Sequence, residues 1–86
     1  MTTEDRLRDF ILRDLRWRGS RRQLTDDRPL IEQRILDSLG IYELVAFLEA
    51  DLGVDVADDE LIPENFATIG TIARFVARKR AGRLSA

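Results

Sequence analysis

Few side chains in this 86-residue sequence can do covalent chemistry, because it contains no cysteine and no histidine. It therefore has no thiolate nucleophile, no disulfide, and no imidazole to serve as base or metal ligand. What remains is a hydroxyl in a particular setting. Asp37-Ser38-Leu39-Gly40 stands directly before Ile41-Tyr42-Glu43-Leu44-Val45-Ala46-Phe47-Leu48-Glu49. The pattern puts a serine, preceded by an acid, at the start of an amphipathic helix. As a structural residue Ser38 reads as the N-cap, a role that serine often fills. As a chemical group, its hydroxyl lies where a helix's free N–H groups and dipole favour an attached anion.

The helix that positions this serine is expected from Ser38 to about Leu52. Ile41, Leu44, Val45, Leu48 and Leu52 mark one apolar face, and Gly53 suits the position just past the helix end. A first helix is expected over Thr3 to about Trp17, on Leu7, Phe10, Ile11 and Leu15, capped by Thr2 or Thr3 and stopped by Gly19-Ser20. Residues 19–37 then form a long loop, with Leu24, Leu30, Ile35 and Leu36 as the side chains to pin it to the core. A short third helix falls within residues 58–65, before or around Pro63. The last helix, over about residues 69–81, starts at the N-cap Thr68 and buries Ile69, Ile72, Ala73, Val76 and Phe75. The fold class is all-α: one domain over residues 1–86, a small four-helix bundle with a long loop between helices 1 and 2.

Size and charge narrow the function further. A chain this short buries only about 60% of its unfolded surface, which allows one small core. No apolar run approaches the ~20 residues of a membrane span, so the expected compartment is the cytoplasm, with no membrane partner. The net charge of −2 hides an asymmetry. Residues 1–34 carry nine arginines against seven acids, whereas residues 35–77 carry nine acids against Arg74 alone. Arg78, Lys79, Arg80 and Arg83 follow. Ser38 thus sits within an acidic segment suited either to solvent or to basic partners.

Helix order, spacing, and the sequences Leu36–Leu52 and Asp58-Asp59-Glu60-Leu61-Ile62-Pro63-Glu64-Asn65-Phe66 together resemble the phosphopantetheine-binding acyl and peptidyl (aminoacyl) carrier proteins, in their stand-alone form, across nearly the full length. The resemblance implies an acyl-carrier-protein-type bundle. It also implies that Ser38 receives a 4′-phosphopantetheine arm from coenzyme A, whose thiol holds an acyl or aminoacyl group as a thioester. Such a carrier is not an enzyme and has no metal of its own. Asp37 is, by resemblance, the residue that the phosphopantetheinyl transferase uses near its magnesium and coenzyme A. The other partners implied are an acyl- or aminoacyl-activating ligase and a downstream transferase or synthase.

Helical spacing puts Leu39, Tyr42 and Ala46, flanked by Glu43 and Glu49, on the outer face of the second helix as a recognition surface. Two departures separate this chain from carriers of primary fatty-acid synthesis: seven arginines between Arg6 and Arg22, and Gly40 where many have another acid. They point to a monomeric carrier dedicated to specialised metabolism, such as polyketide or nonribosomal peptide assembly. One alternative is a carrier-fold interaction module that is never modified. Another is nucleic-acid binding through Arg13, Arg16, Trp17 and Arg18, opposed by the interspersed Glu4, Asp5, Asp9 and Asp14. The cargo is open among amino acid, short acyl unit and fatty acid.

Overall fold

The computed structural model describes residues 1–15 and 17–85, the side chains of 83–85 excepted. Among the described residues there is no strand. The helices are α1 (Thr3–Asp14), α2 (Ser38–Asp51), the single turn α3 (Pro63–Phe66) and α4 (Ile69–Ser85), with 3-10 turns at Arg21–Gln23 and Asp58–Glu60.

Helix α1 begins at a reciprocal cap. The Thr2 hydroxyl accepts from the Asp5 amide at 3.1 Å, and the Thr2 amide donates to the Asp5 carboxylate at 3.4 Å. Leu7, Phe10 and Ile11 form its buried side. The helix ends at Asp14, three residues short of the Trp17 expected from sequence, and Arg16 lies outside the described residues. Trp17 is half-buried against the core, with the Arg28 guanidinium 5.1 Å from its ring centre. The indole lies over Gly19, where a Cβ would come within 2.1 Å of the ring. Gly19 therefore makes room for the tryptophan, and the helix has already stopped before it.

The long loop is tied down along its length. Leu24, Leu30 and Leu36 are fully buried, while Ile35 is half-buried at the margin of the core. Arg8 reaches from α1 to the Leu24 carbonyl at 2.6 Å and pairs with Asp26 and Asp5. At the far side, the Leu30 amide bonds to the Ala67 carbonyl and the Gly70 amide to the Asp26 carbonyl, both at 2.8 Å. The 3-10 turn at Arg21–Gln23 is an addition to the sequence expectation.

Helix α2 is capped by Asp37, whose carboxylate accepts from the Gly40 amide at 2.8 Å. Ser38 is therefore the first helical residue, and the expectation that it caps is corrected by one position. The buried side of α2 is also rotated from the expected face. Gly40, Leu44 and Leu48 are buried, Ile41 and Val45 are half-buried, and Phe47 stacks on Phe10 at 4.7 Å. Gly53 takes φ of 65°, and Val54 returns to the core with its amide on the Leu48 carbonyl at 3.0 Å.

The third helical region is two short pieces, and the second reaches Phe66, one residue past the expected limit. Helix α4 begins just after Thr68, which exchanges hydrogen bonds with Thr71 in both directions at 2.9 and 3.0 Å. It continues to Ser85, beyond the expected end near residue 81. It packs on α1 and α3 through Ile69, Ile72, Ala73, Phe75 and Val76, with the Phe66 and Phe75 rings 5.9 Å apart. The basic run near its end reaches other elements. Lys79 pairs with Glu60 at 2.8 Å, and Arg80 donates to the Leu52 carbonyl at 3.0 Å, holding the end of α2.

Candidate functional site at the head of helix α2

Three local features present Ser38. The Asp37 cap fixes where α2 begins. Gly40 lets the first turn sit close against its surroundings, since a Cβ there would meet Leu36 at 3.2 Å and Leu15 at 3.6 Å. Leu36, fully buried, anchors the loop one residue before Asp37. The glycine that replaces an acid in this turn is thus explained by close packing against the loop and α1.

With Asp37 as the cap, the Ser38 side chain is exposed and makes no hydrogen bond with any described residue. The Ser38 and Leu39 amides belong to the first turn, where a helix has no internal partner for its donors. An exposed hydroxyl beside unpartnered amide donors at the positive end of a helix suits a phosphodiester: the oxygen can be reached, and the resulting anion is favoured. Among the described residues no group of acids is arranged to hold a metal ion.

Leu39, Tyr42, Glu43, Ala46 and Glu49 are all exposed. Their helical spacing places them on one side of α2, in a stripe that begins beside Ser38. Leu39 and Tyr42 are the large apolar members, 67% and 68% exposed. Tyr42 also joins Ser38, Ile41 and Leu61 around a hollow of about 180 Å³. A second hollow, which Ser38 and Ile41 also line, is about 450 Å³. Leu61 is a site residue that helical spacing on α2 could not reveal, because it comes from the segment after the 3-10 turn. Arg34 is another: it lines the hollow formed by Ile31, Leu36, Asp37, Ser38 and Ile41.

Two carboxyl groups are held below the ordinary carboxylate range. Glu60 is lowered first by the hydrogen bond from Lys79 and then by that from the Ala57 amide. Asp5 is lowered by the Thr2 backbone and hydroxyl. They stabilise turns and supply no acid or base to the site.

This geometry has close relatives. The family described as phosphopantetheine attachment site matches residues 5–76. The chain belongs to the phosphopantetheine-binding carrier proteins. It is 36% identical over 63 residues to the "Probable acyl carrier protein PigG" of a Serratia species, covering 73% of this chain and 72% of that one. It is 35% identical over 57 residues to the acyl carrier protein of Thermotoga maritima, covering 66% and 68%. A solved chain from a structure titled "Crystal structure of FAD-dependent dehydrogenase" superposes with a TM-score of 0.72 at 34% identity, covering 81% of this chain and 97% of that one. The carrier holds an acyl or aminoacyl group as a thioester on a covalent 4′-phosphopantetheine arm, and carriers of this kind are not catalysts. No described helix is long and apolar enough to cross a membrane.

Proposed function

We propose that Ser38 is the attachment residue and that Asp37, Leu39, Tyr42, Glu43, Ala46 and Glu49 form the surface read by the phosphopantetheinyl transferase and by partner enzymes. The observation that carries this reading is the exposed Ser38 hydroxyl, without a hydrogen bond to any described residue, in the first turn of α2 and inside the matched family region. Bound there, the arm supplies a thiol for thioester formation on a long tether. The chain's own residues fix the tether's root. Asp37 and Gly40 set the start of α2, and the exposed stripe presents the root to a docked enzyme. Tethering raises the effective concentration of cargo at each partner's active site.

The partners are the transferase, an acyl- or aminoacyl-activating ligase, and a downstream transferase or synthase, met in the cytoplasm by a monomeric carrier. Likeness to PigG and to a chain from the dehydrogenase structure supports a dedicated role in specialised metabolism, with an FAD-dependent dehydrogenase among the enzymes that meet the loaded carrier.

Nucleic-acid binding is disfavoured by how the arginines are used. Of the four residues that suggested it, Arg13 pairs with Asp14 at 3.6 Å and Trp17 is half-buried with Arg28 over its ring, while Arg16 lies outside the described residues. A basic face with an open stacking aromatic is not what these contacts build.

Incubation of the apo protein with coenzyme A and a broad-specificity transferase, followed by mass measurement, tests the reading. One added phosphopantetheine on the wild type and none on Ser38→Ala is the expected result. A wild type that is never loaded would instead support the unmodified interaction module.

A further inference from the structure

Arg34 stands at a position that its backbone does not suit. Residues 29–33 make a helical turn that closes with two back-bonds: the Arg34 amide to the Ile31 carbonyl at 3.0 Å, and the Ile35 amide to the Leu30 carbonyl at 2.8 Å. This is the pairing of a helix end whose closing residue is left-handed and ordinarily glycine. Arg34 fills that place with φ of 58°, the one non-glycine residue at positive φ among those described. A side chain there is strained. The strain is carried by a long cation whose guanidinium has neither an ion pair nor a hydrogen bond with any described residue.

Its surroundings suggest what the cation is for. Arg34 and Ser38 line the same hollow at the head of α2. On its other side Arg34 borders a second hollow with Asp14, Asp37 and Glu43, and pairs with none of the three. Residues 35–77 hold nine acids and only Arg74 as a base, so a phosphodiester on Ser38 adds an anion to a segment already at −8. Arg34 is the nearest cation to Ser38 along the chain.

We propose that Arg34 is a positioning residue for the arm, its guanidinium pairing with the phosphodiester carried on Ser38. The inference rests on Ser38 as the attachment residue. The forked guanidinium suits a phosphate's oxygens, and the left-handed turn fixes the direction in which the side chain leaves the loop. The pairing neutralises the added charge where the neighbouring carboxylates would repel it. It also holds the root of the arm at the first turn of α2.

The test compares purified holo proteins of wild type, Arg34→Gly and Arg34→Lys, each made with coenzyme A and a broad-specificity transferase and shown by mass to carry one arm. The readout is the ³¹P resonance of the phosphodiester. It is expected to move between wild type and Arg34→Gly and to be largely restored in Arg34→Lys. In the wild type it should approach the Arg34→Gly position as salt rises to about 1 M, where screening acts within about 3 Å. Identical ³¹P resonances in wild type and Arg34→Gly at low salt overturn the proposal. The apo Arg34→Gly protein should melt at or above the wild type, because glycine relieves the turn. A lower melting temperature would show that the arginine supports the fold and would count against a role toward the arm. Ser38→Ala run in parallel keeps the two readings separate. If that variant gains the arm, the attachment assignment falls, whatever the ³¹P spectra of the Arg34 series show.

Discussion

The Asp37 carboxylate accepts the Gly40 amide at 2.8 Å, and this one bond relieves Ser38 of any capping duty. Of two adjacent residues that could each cap the helix, Asp37 is the one that does. Asp37→Ala should therefore cost about 0.5–2 kcal/mol, the usual loss on removing a cap. Ser38→Ala should change stability by less than about 0.5 kcal/mol, as exposed substitutions usually do. Urea unfolding of the two apo variants decides. A Ser38→Ala loss as large as that of Asp37→Ala would return the capping role to the serine.

Leu48 is fully buried in the middle of α2, one turn from Leu44 and Leu52. Truncation to alanine should cost roughly 2–5 kcal/mol, a large share of what so small a domain possesses. Ile41→Ala, on the half-buried margin of the same helix, should cost clearly less. Equal losses in the two variants would mean that the buried side of α2 is misplaced.

Much of the fold is legible in the sequence because it follows from local pattern. The apolar spacing of α1 and α4, the Thr2 and Thr68 caps, and Gly53 at φ of 65° are local signals with local outcomes. What could not be read depends on contacts across the chain. Asp37 and Ser38 are both good caps, so sequence alone cannot say which of them the helix uses. The face of α2 was marked by its aliphatic residues, yet Gly40 is buried because Leu36 and Leu15 close over it, and Phe47 turns inward because Phe10 offers a ring. Arg34 has no local signature: its meaning comes from a left-handed backbone and a hollow shared with Ser38.

The pairing of Lys79 with Glu60 links α4 to the turn before Leu61, which lines the hollow next to Ser38. The Glu60 carboxyl is held below the ordinary range by Lys79 and then by the Ala57 amide. A carboxyl lowered in the folded state contributes stability at neutral pH and loses it as pH falls through the carboxylate range. Asp5, lowered by the Thr2 backbone and hydroxyl, acts in the same sense. Glu60→Gln should reduce stability at pH 7 and flatten the loss between neutral and acidic pH. Melting temperatures followed from pH 7 to 3 check this. Parallel curves for wild type and variant would remove Glu60 from the acid response.

The exposed stripe on α2 leads to the last prediction. Glu49 is exposed and makes no ion pair with any described residue, whereas Glu43 shares a hollow with Arg34. Reversal of Glu49 is therefore the cleaner probe of an acidic docking face, because it disturbs no neighbour of Ser38. Exposed pairs are worth about 0.2–1 kcal/mol, so Glu49→Lys should slow loading or cargo transfer by up to about five-fold at low salt. The deficit should shrink as ionic strength rises and screening shortens toward about 8 Å. Tyr42 is 68% exposed and offers apolar contact. Tyr42→Ala should thus weaken docking by an amount that salt hardly alters. Neither change should lower the melting temperature, because neither side chain belongs to the core. Loading by the transferase and transfer by the cognate ligase are the two assays. If both variants match the wild type in both assays, partners do not read this stripe, and the loop between Gly19 and Asp37 becomes the surface to scan.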